Sequence, residues 1–351
     1  MSKDASAIPS CTIGVDLGDR MSAVCVLDAQ GAVLGQRTIP TTAPALTRLL
    51  AEFPASRVVL EVGTHSPWVS RQLTALGAEV FVANPSAMYG ARRRQRNDRT
   101  DAEYLARQGR ADPTLLHAIS HRSATAQAHL ELLRARDQLV HTRTALINHV
   151  RGTVKALGAR LPSASAEAFP GKAAPALPAV LQAALTPLLT MIASVTASIA
   201  AYDTQLVTLI RTTYPVAERL QQIAGVGVIT SLTFVLLVED PARFVRSRDV
   251  GAYFGLVPRL DESSTATPQL RITKAGDPYA RRLLVGAAHY ILGPFGPPCD
   301  LRRHGEGIAA RGGMNAKKRA VVAVARKLAV LLHRLWVSEA AYHPDYNQRA
   351  A

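Results

Sequence analysis

The chain has 351 residues, 48% of them apolar, which suits roughly two or three domains with buried cores and excludes disorder over most of its length. Lys and Arg number 41 against 26 Asp and Glu, and the net charge of +15 points to an anionic partner, nucleic acid before any other. Three cysteines, Cys11, Cys25 and Cys299, form no close pair, which excludes a disulfide framework and a cysteine-rich zinc site and fits a reducing compartment.

Residues 11–17 and 23–27 are short runs rich in Val and Ile, split by Gly-Asp-Arg, and 32–39 follow Gln30-Gly31 as a third strand. The short links predict an antiparallel meander. A helix is expected over 43–53, a buried strand over 58–62, a helix over 68–76 and a strand over 80–82. A further helix begins near Thr100, where Thr100 and Glu103 have capping-box spacing. The order is β-β-β-α-β-α-β-α. The opening residues have no apolar run after their charge, so no secretory signal is expected.

The middle of the chain reads differently. Leu132, Leu133, Leu139, Leu146 and Val150 share one side of a long helix over 130–157. A Pro/Gly/Ala-rich break over 161–178, flexible by composition, precedes a second helix over 180–211. Together they predict an antiparallel helical arm resembling a coiled coil. Residues 173–202 carry no charge, long enough to span a bilayer, but three prolines and an Ala-rich composition favour packing in a bundle, and no membrane is expected. From residue 220 a mainly helical region follows. Residues 223–229 read either as a helix-hairpin-helix turn that brings backbone N–H groups to a phosphate or as an ordinary helix–helix turn. The last helix, 316–336, sets Val321, Val324, Leu328 and Leu332 against Lys317, Lys318, Arg319, Arg326 and Lys327.

Carboxylates in the first region stand out. Asp16 ends the first strand, Glu61 interrupts the apolar strand 58–62, and Asp98 and Asp101 lie three apart at a helix start. Each has an ordinary reading: Asp16 as a turn residue, Glu61 as an edge-strand charge, Asp98 or Asp101 as a helix cap. A carboxylate within a buried strand is costly unless neutralised. A hard divalent cation bound through several oxygens holds such acids together, and two ions roughly 3.5–4 Å apart clamp both oxygens in phosphodiester transfer. Arg92, Arg93, Arg94 and Arg96, just before the acid pair, set cations where a phosphate backbone would pass, and Arg271, Lys274, Arg281, Arg282, Lys317, Lys318 and Arg319 add basic surface. Aromatic residues are only 5% of the chain, so base stacking is a minor expectation.

Gly14-Val-Asp16-Leu-Gly, Leu60-Glu61-Val-Gly-Thr, Asn84-Pro85 and Asn97-Asp98-Arg-Thr-Asp101-Ala-Glu-Tyr-Leu-Ala resemble the RuvC-like domain of the DEDD-type insertion-sequence transposases, understood as bridge-RNA-guided serine recombinases. The resemblance assigns Asp16, Glu61, Asp98 and Asp101 to a catalytic, metal-binding tetrad. It extends to Gly255-Leu-Val-Pro258, Asp261-Glu-Ser263, residues 270–277 and Ala280-Arg-Arg-Leu-Leu, where spacing from Ile272 makes Ser263 the nucleophile. The glycine usual after that serine is replaced by Ser264-Thr265, which leaves Ser264 as a second register.

The resemblance implies an α/β plus all-α architecture with three parts. These are an RNase H/RuvC-like mixed-sheet domain over 10–112, a long helical assembly arm over 120–215, and a mainly helical serine domain over 216–340. It implies RNA-guided cutting and rejoining of target and donor DNA through a covalent phosphoserine. Magnesium and a noncoding bridge RNA are the implied cofactors, a homotetramer the assembly, and the bacterial cytoplasm, at the nucleoid, the location. A RuvC-like resolvase that uses the acids and water alone is the nearest alternative. A non-catalytic nucleic-acid-binding protein is the alternative of another class. Gly14-Val-Asp-Leu-Gly also resembles the first phosphate loop of actin-like ATPases and sugar kinases, a further alternative.

Overall fold

The β-branched runs that open the chain pair as a meander. In the computed structural model, which describes residues 9–84, 97–259 and 270–346, β1 (Cys11–Asp16), β2 (Met21–Asp28) and β3 (Val33–Pro40) are antiparallel neighbours. Two parallel strands, β4 (Arg57–Glu61) and β5 (Glu79–Ala83), complete a mixed sheet of order β3-β2-β1-β4-β5. Helices α1 (Ala43–Glu52) and α2 (Ser66–Ala75) make the links that parallel pairing requires.

Alternation along the strands decides which residues meet which helix. Ile13, Val15, Val58 and Leu60 face one way and join Leu46 and Leu49 of α1 and Val69 and Leu73 of α2 in one core. The opposite face is built mostly from small side chains: Ala23 and Cys25 of β2, with Leu27, pack on Ala102 and Ala106 of α3 (Asp98–Ala111). Burial raises the Cys25 thiol above its ordinary pKa. Gly14 is what lets α3 lie so close, because a Cβ there would stand 1.9 Å from the Ala102 carbonyl oxygen and 2.6 Å from the Ala106 nitrogen. Gly14→Ala should therefore lift α3 from the sheet and cost about 3 kcal/mol, the upper end of overpacking penalties. Gly35→Ala, with nothing within 4 Å, is the matched control, and thermal unfolding of the two variants checks the difference.

The helix start differs from the expectation. Asn97 is the N-cap: its side chain accepts the Thr100 N–H at 2.9 Å, and the Asn97 N–H returns to Thr100 Oγ1 at 3.2 Å. The capping box is thus Asn97–Thr100 rather than Thr100–Glu103. Glu103 instead bonds Gln36 of β3 and Arg107.

The chain divides into two compact units, Met1–Ala124 and Thr125–Ala351, and the long helices belong with the C-terminal region in the second. Helix α4 (Ala124–Ala156) and α6 (Ala179–Thr213) form the arm. Near its base, Ala126, Leu130, Leu133, Leu206 and Ile210 join the main core of this unit. A separate core at the far end gathers Val150, Val154, Leu185, Leu189 and Ile192. Between them the seam is mixed: Val195 and Ile199 of α6 are buried, while Leu139 and Leu146 of α4 are only half-buried and charged residues enter it. Arg136 pairs with Asp203 at 2.5 Å, and buried Arg143 reaches Glu167 at 3.0 Å. Such a seam departs from a strict heptad and explains why the pattern of leucines over-reads the contact.

The expected flexible break is ordered. It carries a short helix, α5 (Phe169–Ala173), whose Phe169 is buried under the Arg151 guanidinium at 4.8 Å. Helix α6 is long and apolar enough to cross a membrane, with mean hydropathy 1.7 over its most apolar stretch.

Beyond the arm, α7 (Pro215–Leu220) and α8 (Val228–Val238) flank the glycine turn. Gly225 has φ +87°, and a Cβ there would press on the Ala287 carbonyl at 3.0 Å, so close packing on the later helix that carries Ala287 accounts for this glycine. A short α9 (Val250–Tyr253), then α10 (Pro278–Leu292), α11 (Asp300–Ala309) and α12 (Ala316–Ser338) enclose the rest of the core. Val324, Leu328 and Leu332 of α12 are buried and Lys317, Lys318 and Arg319 exposed, as the amphipathic pattern requires.

Candidate functional site

Asp16 and Glu61 share a face and an end of the sheet. Val15 pairs with Leu60, so the next residue of each parallel strand, Asp16 and Glu61, ends its strand beside the other. Their parity is that of Gly14 and Val59, which contact α3, so both carboxylates stand on the α3 face. The carboxyl ends of parallel strands are where open α/β sheets form crevices. A cleft of about 400 Å³ lies there, lined by Asp16, Asp19, Glu61, Thr64 and His65 among others.

Helix α3 brings the second acid pair to the same end. Its C-terminal turns reach the β2–β3 hairpin, where Arg107 bonds the Gly31 carbonyl and Arg110 that of Ala29, each at 3.3 Å. That hairpin is level with Cys11, which pairs with Asp28. The first turn of α3 therefore points toward the end of β1 that carries Asp16. Asp98 is exposed and Asp101 half-buried on this turn.

Two of the ordinary readings fall. Glu61 is on an interior strand, so it is no edge charge. Asn97 and Thr100 already satisfy the helix start, so neither Asp98 nor Asp101 is needed as a cap, though both suit the positive end of the helix dipole. All four side chains are carboxylates, the donor chemistry a hard divalent cation takes. Asp16 and Glu61 line the cleft while Asp98 and Asp101 are not among its lining residues. Among the described residues no group of three or more His, Cys, Asp or Glu side chains is assembled closely enough to hold a metal ion.

His65, on the loop after β4, and Asp19, on the turn after β1, were not singled out from sequence. The signal was available: they follow strand ends that already carry acids. The loop is pinned from beneath by Ser66, fully buried, whose hydroxyl donates to the Gly63 carbonyl at 2.8 Å and accepts the Gly63 N–H at 3.0 Å. With its single hydrogen used, the hydroxyl accepts from His121 Nε2–H at 2.8 Å. Burial, then Arg71 and Arg122, lowers the His121 pKa.

The unfolded chain therefore binds this proton more readily than the folded one. Stability is full above the ordinary histidine pKa of about 6.5 and is lost as pH falls through the lower folded value. The melting temperature of wild type should drop on acidification through this window. His121→Gln should flatten that dependence, as read by calorimetry from pH 8 to 5.

In the second unit, Ser263 and Ser264 lie outside the described residues, as do Arg92, Arg93, Arg94 and Arg96. The chain on either side of the serine segment is firmly held. Arg259 N–H bonds the Arg271 carbonyl and Thr273 N–H that of Val257, both at 2.9 Å, so residues 257–259 and 271–273 run antiparallel. Gly255 and Gly276, at φ +66° and +70°, let backbones meet where a Cβ would stand 2.3 and 2.1 Å from a carbonyl oxygen.

The basic residues around it divide. Arg281 donates to the carbonyls of Phe254 and Ala275 at 3.2 and 2.6 Å, and Arg282 pairs with Asp137 at 2.6 Å and meets His141 at 3.0 Å. Both hold this unit together. Arg271, Lys274, Lys317, Lys318 and Arg319 are exposed.

The fold and cleft can now be set beside known proteins. A family model described as a transposase, DEDD_Tnp_IS110, matches residues 13–158, and one described as Transposase IS116/IS110/IS902 family matches residues 217–298. The chain belongs to the IS110/IS116 transposase family. The first match takes in the sheet from the third residue of β1 onward, with all four acids, and the second the glycine turn, Ser263 and α10. Among curated relatives of this transposase, the one for insertion sequence element IS1111A of Coxiella burnetii is 28% identical over 340 residues, 94% of this chain and 90% of the relative. The transposase for IS1328 of Yersinia enterocolitica is also 28% identical, over 81% of this chain and 85% of its own.

Proposed function

We propose that this transposase cuts and rejoins target and donor DNA through a covalent phosphoserine on Ser263, assisted by divalent metal at Asp16, Glu61, Asp98 and Asp101 and guided by a noncoding bridge RNA. The observation that carries the reading is the convergence of Asp16, Glu61 and the first turn of α3 on one face and one end of a β3-β2-β1-β4-β5 sheet, an order that suits an RNase H/RuvC-like domain. Mg2+ held by these carboxylates would neutralise charge on the attacked phosphate.

Ser263 Oγ attacks phosphorus, an O–P bond forms to the protein, and the P–O bond to one deoxyribose oxygen breaks, with the leaving oxygen taking up a proton. A hydroxyl of a second strand then displaces the serine, so the energy of the broken ester is retained for rejoining. The net charge of +15 supports a polyanionic partner, and the exposed Arg271, Lys274, Lys317, Lys318 and Arg319 would contact its phosphates, as would Arg92, Arg93, Arg94 and Arg96. Assembly as a homotetramer through the arm, and action at the nucleoid in the bacterial cytoplasm, belong to the same reading. The test is to incubate the full chain with DNA, magnesium and the element's noncoding RNA, trap denaturation-resistant protein–DNA adducts and map the modified residue. An adduct on Ser263 supports the reading; cleavage without any adduct favours a resolvase-like nuclease.

A further inference from the structure

The cleft beside Asp16 has a further polar group whose chemistry the structure restricts to one role. His65 lines it with its side chain 30% exposed. Its Nδ1 accepts a hydrogen bond from Trp68 Nε1–H at 3.0 Å, within the first turn of α2. An indole nitrogen donates only, so Nδ1 must carry its lone pair toward Trp68 and the imidazole hydrogen resides on Nε2. That Nε2–H faces Asp19 Oδ1 at 3.3 Å, a long bond to a carboxylate 91% exposed and so readily displaced.

Three roles usual for histidine are closed by this arrangement. Nε2 has no lone pair to give a metal ion while Nδ1 is occupied by the indole. For the same reason it is no base. A neutral imidazole is also a very weak acid, and protonating Nδ1 to make a stronger one breaks the Trp68 bond. What is left is donation of a hydrogen bond. The charged side chains lining the cleft, Asp16, Asp19 and Glu61, are all acidic, so an anion entering it needs donors that they do not supply. Buried Ser66 and half-buried Pro67, next in sequence at the start of α2, hold the imidazole on a rigid support.

We propose that His65, locked by Trp68 as a neutral Nε2–H donor, binds a non-bridging phosphate oxygen of the nucleic-acid strand in this cleft, with Asp19 occupying the donor until the strand arrives. The role rests on the phosphodiester chemistry proposed above, and it makes His65 a group that touches the reacting phosphate rather than a ligand of any cation.

The lock is tested without catalysis. Full-length protein labelled with nitrogen-15 in histidine should show an imidazole, assigned to His65 by its loss in His65→Gln, with hydrogen on Nε2 in its long-range proton–nitrogen spectrum, and Trp68→Phe should shift its Nδ1 resonance as the indole hydrogen bond is lost. Inorganic phosphate, and more strongly a short single-stranded DNA, should shift the Nε2 resonance. A spectrum with hydrogen on Nδ1, or no shift with either probe, overturns the proposal.

In single-turnover cleavage, His65→Ala should lose about 100-fold, the scale of one oxyanion donor, while DNA affinity stays within about threefold. His65→Gln, whose amide reaches near the Nε2 position, should recover about tenfold. Wild-type rates in His65→Ala, with Asp16→Asn inert, would overturn the role of His65 and leave the phosphodiester reading standing. No cleavage by wild type would instead fail that reading, while the spectrum still decides whether His65 donates to phosphate.

Discussion

Asp16→Asn should reduce strand cleavage at least about 1,000-fold, roughly 4 kcal/mol of transition-state stabilisation, while DNA binding stays within a few-fold. The substitution is nearly isosteric and removes one negative charge from the end of β1, beside Glu61. Removing a negative charge from a cleft proposed to receive phosphate should, if anything, strengthen binding. A loss of binding as large as the loss of cleavage would therefore mean that Asp16 serves the fold, through its place ahead of the tight Gly18 turn, and not the chemistry. There a Cβ on Gly18 would meet the Met21 carbonyl at 2.1 Å. Adding Glu61→Gln to Asp16→Asn should cost little more, because residues that act as one unit are strongly non-additive. Two independent losses that multiply would separate the carboxylates into different roles.

Ser263→Ala should abolish both the covalent adduct and strand exchange. A metal-dependent nuclease that uses water loses nothing when a serine it does not use is changed, so persistent cleavage in this variant would replace the recombinase reading with the resolvase one. Ser264→Ala supplies the register control: it should keep the adduct if Ser263 is the nucleophile, and adduct loss in this variant alone would move the assignment by one residue. The antiparallel flanks 257–259 and 271–273 are fixed by backbone bonds that neither substitution touches, so both variants should melt as wild type does.

Much of the first unit was legible because strand and helix periods differ so plainly. Short runs rich in Val and Ile placed most strands, the third was marked by the Gln30-Gly31 turn before it, and the short links predicted the meander. What misled was local capping chemistry: Thr100 and Glu103 have the right spacing, yet Asn97 is a better cap and lies one turn earlier, and Glu103 finds Gln36 on a strand far away in sequence. The arm misled for a related reason. Leucine spacing records the helical period but not which stretch of seam is apolar, and buried Arg143, at its centre, is compensated by Glu167 from the connecting segment. Arg281 and Arg282 show the same limit for charge. Clustered arginines attract a nucleic-acid reading, while these two are engaged by carbonyls and by Asp137 within the chain.

The sequence by itself determined the order of elements, the carboxylates at their ends and the basic excess, since each depends on residue type and near spacing alone. Only the tertiary structure decided that Glu61 is interior, that Asp98 and Asp101 face the same end of the sheet as Asp16, and that His65 is held as a donor. Those facts depend on contacts between residues far apart in the chain: Gly14 admitting the backbone of α3, β4 entering between β1 and β5, and an indole hydrogen settling which nitrogen of an imidazole is bare.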